Sequence, residues 1–283
     1  MTSCANVVDA AYTDLCDRAL TDGCFRPTCR TGHATRSVFG ARLDIPLDVP
    51  SGTGGVLFPL LIVKRVPWKT VFNELRWFLS GDTNVATLRS RYGVNVWNEL
   101  GPIYGHQWRR YGAPYHPQPV DQQIARLERG LRTDPWSRRH VLNSWNPVDV
   151  DSCALPPCHA FAQFVVDDDR GLTTLLTQRS GDLALGVPFN IASYAFLTHM
   201  LARTCGLTAR RLIHTINDAH VYENHFEGVR TLIDRQRSAG RSPSFAWTDD
   251  CTPASVDEFT VDHVRLTDYR PILPNVTFEL NVG

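Results

Sequence analysis

Leu155-Pro156-Pro157-Cys158-His159, followed further along by Gln178-Arg179-Ser180-Gly181-Asp182 and then by Gly186-Val187-Pro188-Phe189-Asn190, is the stretch on which the reading of this chain turns. Two prolines stiffen the backbone ahead of Cys158, so its sulfur has a fixed direction. Residues 159–167 and 172–178 alternate or run apolar and are predicted as buried strands. Residues 189–205 are apolar on nearly all faces and stop before Gly206, which predicts a helix in the middle of the molecule. This order puts a thiol, an arginine, an acid and an amide within reach of one pocket. A cysteine is a useful nucleophile only as the thiolate, which a neighbouring cation such as Arg179 stabilises. The group reads as nucleophilic chemistry on an anionic substrate.

Working outward, residues 7–21 carry apolar side chains at helical spacing and predict a packing helix. Residues 35–47 and 57–66 read as strands, joined by the glycine-rich turn 50–55. No Lys-Ser/Thr ends that turn, so it makes a poor phosphate loop. Helix patterns occupy 68–80, 119–132 and 226–236, and strands are predicted over 140–145, 212–216 and 276–282. Strands and helices mixed without strict alternation argue an α+β fold. No Pro/Gly/Ser-rich linker divides the 283 residues, and one domain over 1–283 is the simplest organisation.

The formal net charge is zero, so no global field recruits nucleic acid, and an anion must be held by local arginines. Lys64 and Lys69 are the only lysines, a bias that a coding preference explains as well as function does. No apolar run is long enough to span a bilayer. The eight cysteines are scattered and no secretory segment opens the chain, which together predict a reducing, cytoplasmic compartment. Cys24 and Cys29 lack metal-site spacing, and no metal is expected.

Further segments complete a pattern: Phe72-Asn73-Glu74-Leu75-Arg76-Trp77-Phe78, Leu100-Gly101-Pro102-Ile103-Tyr104-Gly105-His106-Gln107-Trp108-Arg109, Arg138-Arg139, Trp145-Asn146-Pro147 and Asp218-Ala219-His220-Val221-Tyr222-Glu223-Asn224-His225. In this order the chain resembles the thymidylate synthase family from Arg30 to Pro271. The resemblance implies a kinked mixed sheet flanked by helices, with the sheets of two subunits packed back to back in a homodimer. It implies methylation of dUMP to dTMP with 5,10-methylenetetrahydrofolate as carbon and hydride donor. Cys158 would add to C6 of uracil, with Glu74, Arg179, Tyr104 and His159 as the other catalytic positions. Arg30, Gln178, Ser180, Asp182, Asn190, His220 and Tyr222 would bind the nucleotide, joined by Arg138 and Arg139 from the partner subunit. Trp97, Asp182, Leu185, Gly186, Phe189 and Val282 would line the folate side.

Each position also has a plainer reading. Cys158 alone could be an inert buried thiol, Arg138-Arg139 a solvated loop pair, and His159 a satisfied core histidine. Asn190 opens a helix and suits an N-cap, yet its amide offers both a donor and an acceptor to O4 and N3–H of uracil. Glu74 lies among apolar residues, where burial raises a carboxyl towards the range useful for proton transfer. The chain departs from the family pattern in three places: Asn98 follows Trp97 in a shortened loop, the segment around Ser51 is inserted, and the end is Glu279-Leu280-Asn281-Val282-Gly283. Because a closing terminus excludes water, the last change bears on whether the product is methylated or hydroxymethylated. A hydroxymethylase of the same fold and a non-catalytic paralogue are the alternatives.

Overall fold

The computed structural model describes residues 6–29, 31–98, 101–112, 123–248, 251 and 253–281. Its longest strand, β8 (Thr208–Tyr222), organises the rest. Leu212, His214 and Ile216 are buried along it while Arg211 and Asn217 are exposed, the period-2 pattern of a sheet buried on one side, and a register shift ahead of Arg211 lets Ala209 be buried as well. Along one edge β8 pairs antiparallel with β2 (Thr35–Pro46), and along the other it runs parallel to β6 (Gly171–Gln178) and β7 (Gly181–Asp182). β1 (Cys24–Arg26) continues beyond β2, and β5 (His159–Val166) and β4 (Val141–Asn143) continue beyond β6, giving a mixed seven-stranded sheet in the order β1-β2-β8-β6-β5-β4 with β7 against β8. A smaller sheet joins β3 (Val56–Leu57), β9 (Ser244–Trp247) and β10 (Val264–Thr267). The architecture is α+β, as expected.

A parallel neighbour requires a crossover. Here it is α6 (Gly186–Cys205), which carries the chain from β7 to β8 and is buried on almost every side, ending where Gly206 takes φ 65°. Phe196 at its centre packs against Phe58 and Phe72, with ring centroids 4.3 and 5.0 Å away. Truncating such a side chain costs roughly 3–5 kcal/mol. α1 (Val7–Thr21), α2 (Trp68–Ser80), α3 (Val85–Tyr92), α4 (Tyr104–Arg110), α5 (Ile124–Thr133) and α7 (Phe226–Arg235) complete the helices. Among the described residues, no helix is long and apolar enough to cross a membrane.

Several sequence expectations need correction. Residues 58–66 form no strand: Phe58, Leu60, Leu61, Ile62, Val63 and Val66 are buried, but their segment pairs with no ladder. Asp9 on α1 accepts the backbone N–H groups of Ile62 and Val63, both at 2.9 Å, in place of a neighbouring strand. Residues 276–281 also lack strand pairing; Phe278 packs against His225 with ring centroids 5.1 Å apart. The central helix begins at Gly186, which puts Asn190 in its second turn and rules out the N-cap reading. The expected helix over 119–132 starts at Ile124 within the described residues and runs to Thr133.

Candidate active site

Cys158 sits at the mouth of β5, half-exposed, with its backbone fixed on both sides. Its N–H donates to the Tyr104 hydroxyl at 2.9 Å, and its carbonyl accepts the Arg179 N–H at 2.8 Å. A register shift between His159 and Phe161 marks a bulge in the β5–β6 pairing, a device that re-aims side chains at a strand end. The Arg179 guanidinium donates from Nε to the Pro157 carbonyl (2.8 Å) and from Nη2 to the Pro156 carbonyl (2.6 Å), and it lies over the Trp145 ring. Nη2 stands 3.8 Å from Cys158 Sγ. A fixed cation beside the sulfur favours the thiolate over the thiol.

Behind the sulfur, the Tyr104 ring stacks on His159 at 3.7 Å with 4° between the planes, and His159 Nδ1 lies 3.0 Å from the Tyr194 hydroxyl. Burial, reinforced by nearby His214, pushes His159 down to about 3, so its ring is neutral. His159 is thus a packed, hydrogen-bonded histidine at the edge of the cleft. Glu74, on the buried face of α2, accepts the Trp97 indole N–H. Burial raises its carboxyl to about 7 against the pull of that hydrogen bond. A group that titrates near neutrality can both take and give a proton.

These residues open onto a cleft of ≈760 Å³. It also gathers Gln178, Ser180, Asp182, Leu185, Gly186, Phe189, Asn190, His220 and Tyr222. Asp182 accepts the N–H groups of Ala184 (2.8 Å) and Leu185 (3.3 Å), which shapes the entry to α6. His220 and Tyr222, two apart on β8, face the same side, and the β7–β8 register sets Asp182 opposite His220. Its lining is apolar at Trp97, Leu185 and Phe189 and polar at Arg179, Ser180 and His220. The volume falls within the range of ordinary small-molecule sites.

Arg138 and Arg139 are exposed and line a different cleft, of ≈770 Å³, with Arg126, Arg129 and His140, so they do not reach Cys158 of their own chain. Arg30 and Val282 lie outside the described residues. The described part of the terminal segment brings Phe278, Leu280 and Asn281 to the cleft, held by a hydrogen bond from Asn281 to Asn224 at 3.1 Å. The alternation of Val276, Phe278 and Leu280 was the available signal, though it points to a strand. Cys29, Thr31, Asn95 and Val96 also line the cleft and carry no distinguishing pattern in sequence. Among the described residues, no group of three or more His, Cys, Asp or Glu is placed to hold a metal.

A family model described as thymidylate synthase matches residues 10–282. The chain belongs to the thymidylate synthase family. For a member of the thymidylate synthase family the match is nearly end to end, and every quoted motif within the described residues falls on the Cys158 cleft, on the elements packed around it, or on the Arg138-Arg139 surface.

Proposed function

We propose that the protein catalyses the reductive methylation of dUMP, taking both carbon and hydride from 5,10-methylenetetrahydrofolate and releasing dTMP and dihydrofolate. The observation that carries this reading is the 3.8 Å approach of the Arg179 guanidinium to Cys158 Sγ in a cleft shared with Glu74 and Asn190. The thiolate adds to C6 of the uracil ring, and the electron pair of the 5,6 double bond moves towards C5 and O4. Glu74 moves protons at O4 and C5, Asn190 reads the base edge, and Arg179, Ser180 and Arg30 hold the phosphate. Gln178 supports Asn190 from behind. His220 and Tyr222 hold the ribose hydroxyl, while Trp97, Asp182, Leu185, Gly186, Phe189 and Val282 face the folate. Tyr104 and His159 fix the backbone and ring behind the sulfur.

The working unit in this reading is a cytoplasmic homodimer of single-domain chains spanning 1–283, with Arg138 and Arg139 given to the partner's site. Support comes from exposed apolar side chains of the sheet: Phe161 (37% exposed) and Val165 share the outer face of β5 with Val141 beside them on β4, and Phe39 (56%) stands uncovered on β2. An apolar face of this kind on a sheet marks an interface.

The test is mass identification of the nucleotide formed from dUMP and methylenetetrahydrofolate, with Cys158→Ser as control. Methylated product with stoichiometric dihydrofolate, absent in the variant, supports the proposal. A hydroxymethylated product with tetrahydrofolate released assigns a hydroxymethylase, and no product at all leaves a non-catalytic paralogue.

A further inference from the structure

Gln178 closes β6 with its side chain turned inward and bonded at three points. Its Nε2 donates to the Ser180 carbonyl (2.9 Å) and to Asn190 Oδ1 (3.1 Å), and its Oε1 lies 2.8 Å from His214 Nε2. A backbone carbonyl can only accept, so Ser180 fixes which end of the Gln178 amide is NH₂. The remaining assignments follow by elimination. Oε1 faces His214, so His214 Nε2 carries the ring proton. The second amide proton of Gln178 goes to Asn190, whose oxygen faces Gln178. His214 meets this requirement: it is fully buried on β8 opposite Leu176, and burial pushes it down to about 3, leaving a neutral ring with one proton. Its Nδ1 has no hydrogen-bond partner among the described residues, so nothing competes for that proton.

We propose that His214 is a positioning residue for base recognition: by donating from Nε2 to Gln178 it locks the Asn190 amide in the orientation that reads a pyrimidine with a carbonyl at C4 and N–H at N3. The inference rests on the uridylate reading of the site. In that orientation Asn190 Nδ2 donates to O4, and the second lone pair of Oδ1 accepts N3–H. A 4-amino pyrimidine offers the opposite pattern and requires the amide to turn over. A turned Asn190 would set its NH₂ against the NH₂ of Gln178. Turning Gln178 to match would break its bonds to both Ser180 and His214. The discrimination therefore belongs to the whole chain of bonds, anchored at one end by a main-chain oxygen and at the other by an imidazole tautomer.

Calorimetric binding of dUMP and dCMP to the wild type, His214→Gln and His214→Asn tests this. The glutamine amide reaches the place of Nε2 and can donate to Gln178; the shorter asparagine reaches only the place of Nδ1. The expected result is a dUMP-over-dCMP preference that falls by roughly tenfold in His214→Asn, about the value of one neutral hydrogen bond, and is largely kept in His214→Gln. Equal preference in all three proteins would overturn the role of His214 while leaving the nucleotide reading intact. A wild type that binds neither nucleotide would overturn both. Nitrogen-15 spectra of histidine-labelled wild type, assigned by difference from His214→Gln, give a reading that needs no ligand: the Nε2–H tautomer is expected, and the Nδ1–H tautomer would refute the mechanism.

Discussion

Replacing Trp97 by phenylalanine removes one N–H donor from the Glu74 carboxyl while keeping an aromatic ring against it. Burial lifts Glu74 from 4.5 to about 7, and the indole hydrogen bond acts in the opposite sense by stabilising the carboxylate. A hydrogen bond to a charged group is worth roughly 1.5–3 kcal/mol and one pH unit corresponds to roughly 1.4 kcal/mol, so losing the donor moves the Glu74 titration upward by roughly one to two pH units. The assay is carbon-13 NMR of glutamate-labelled, ligand-free protein, with Glu74 identified by its loss in Glu74→Gln. Working without ligand keeps any loss of folate affinity in Trp97→Phe out of the measurement. The stability sign is fixed as well. The folded carboxyl keeps its proton to higher pH than the unfolded one, so this group's contribution to stability declines as pH rises from 4.5 through about 7. In Trp97→Phe the decline continues further up the scale. A titration that stays in place or moves down in the variant would refute the view that burial and the indole oppose each other at Glu74.

Other predictions follow from the same geometry. Mixing Cys158→Ser with the Arg138→Ala/Arg139→Ala double variant, each nearly inactive alone, should restore roughly a quarter of wild-type activity through heterodimers with one intact site; no recovery on unfolding and refolding together would place these arginines in their own chain's chemistry. Phe39→Glu with Phe161→Glu should shift the sedimentation velocity profile to monomer and abolish activity, whereas an unchanged dimer would remove the outer sheet face as the interface. Asp9→Ala leaves the buried Ile62 and Val63 N–H groups without an acceptor and should cost roughly 2–4 kcal/mol in urea unfolding. Burial raises Asp9 to about 6, so its own contribution to wild-type stability declines as pH rises from 3.8 to about 6.

How legible the fold was depended on what satisfies each backbone. α2 and α7 were readable to within a residue because an amphipathic stripe at period 3.6 has few other solutions, and α1 matched for the same reason. Residues 58–66 misled because an apolar run reports burial and not pairing, and a carboxylate on α1 stands where a strand was expected. Short helices such as Val85–Tyr92 went unread because only Val85, Leu88 and Tyr92 are buried, too few to set a period. The Cys158 cleft was legible through the motifs, including Tyr104, Gln178 and Asn190. His214 was not, since an isolated histidine within an apolar strand carries no mark of the amide it faces; only the β6–β8 register brings the two together.

An arginine has five N–H donors. On Arg179, Nε and one proton of Nη2 are already engaged by the proline carbonyls, and Nη2 also faces the sulfur, which leaves the pair on Nη1. A phosphate dianion has more acceptor positions than that pair can fill. On the proposed reading, the residue that tunes the thiolate is therefore too heavily committed to hold the substrate alone, and valence by itself argues that the phosphate must draw further donors, the part proposed for Ser180, Arg30 and the partner's arginines.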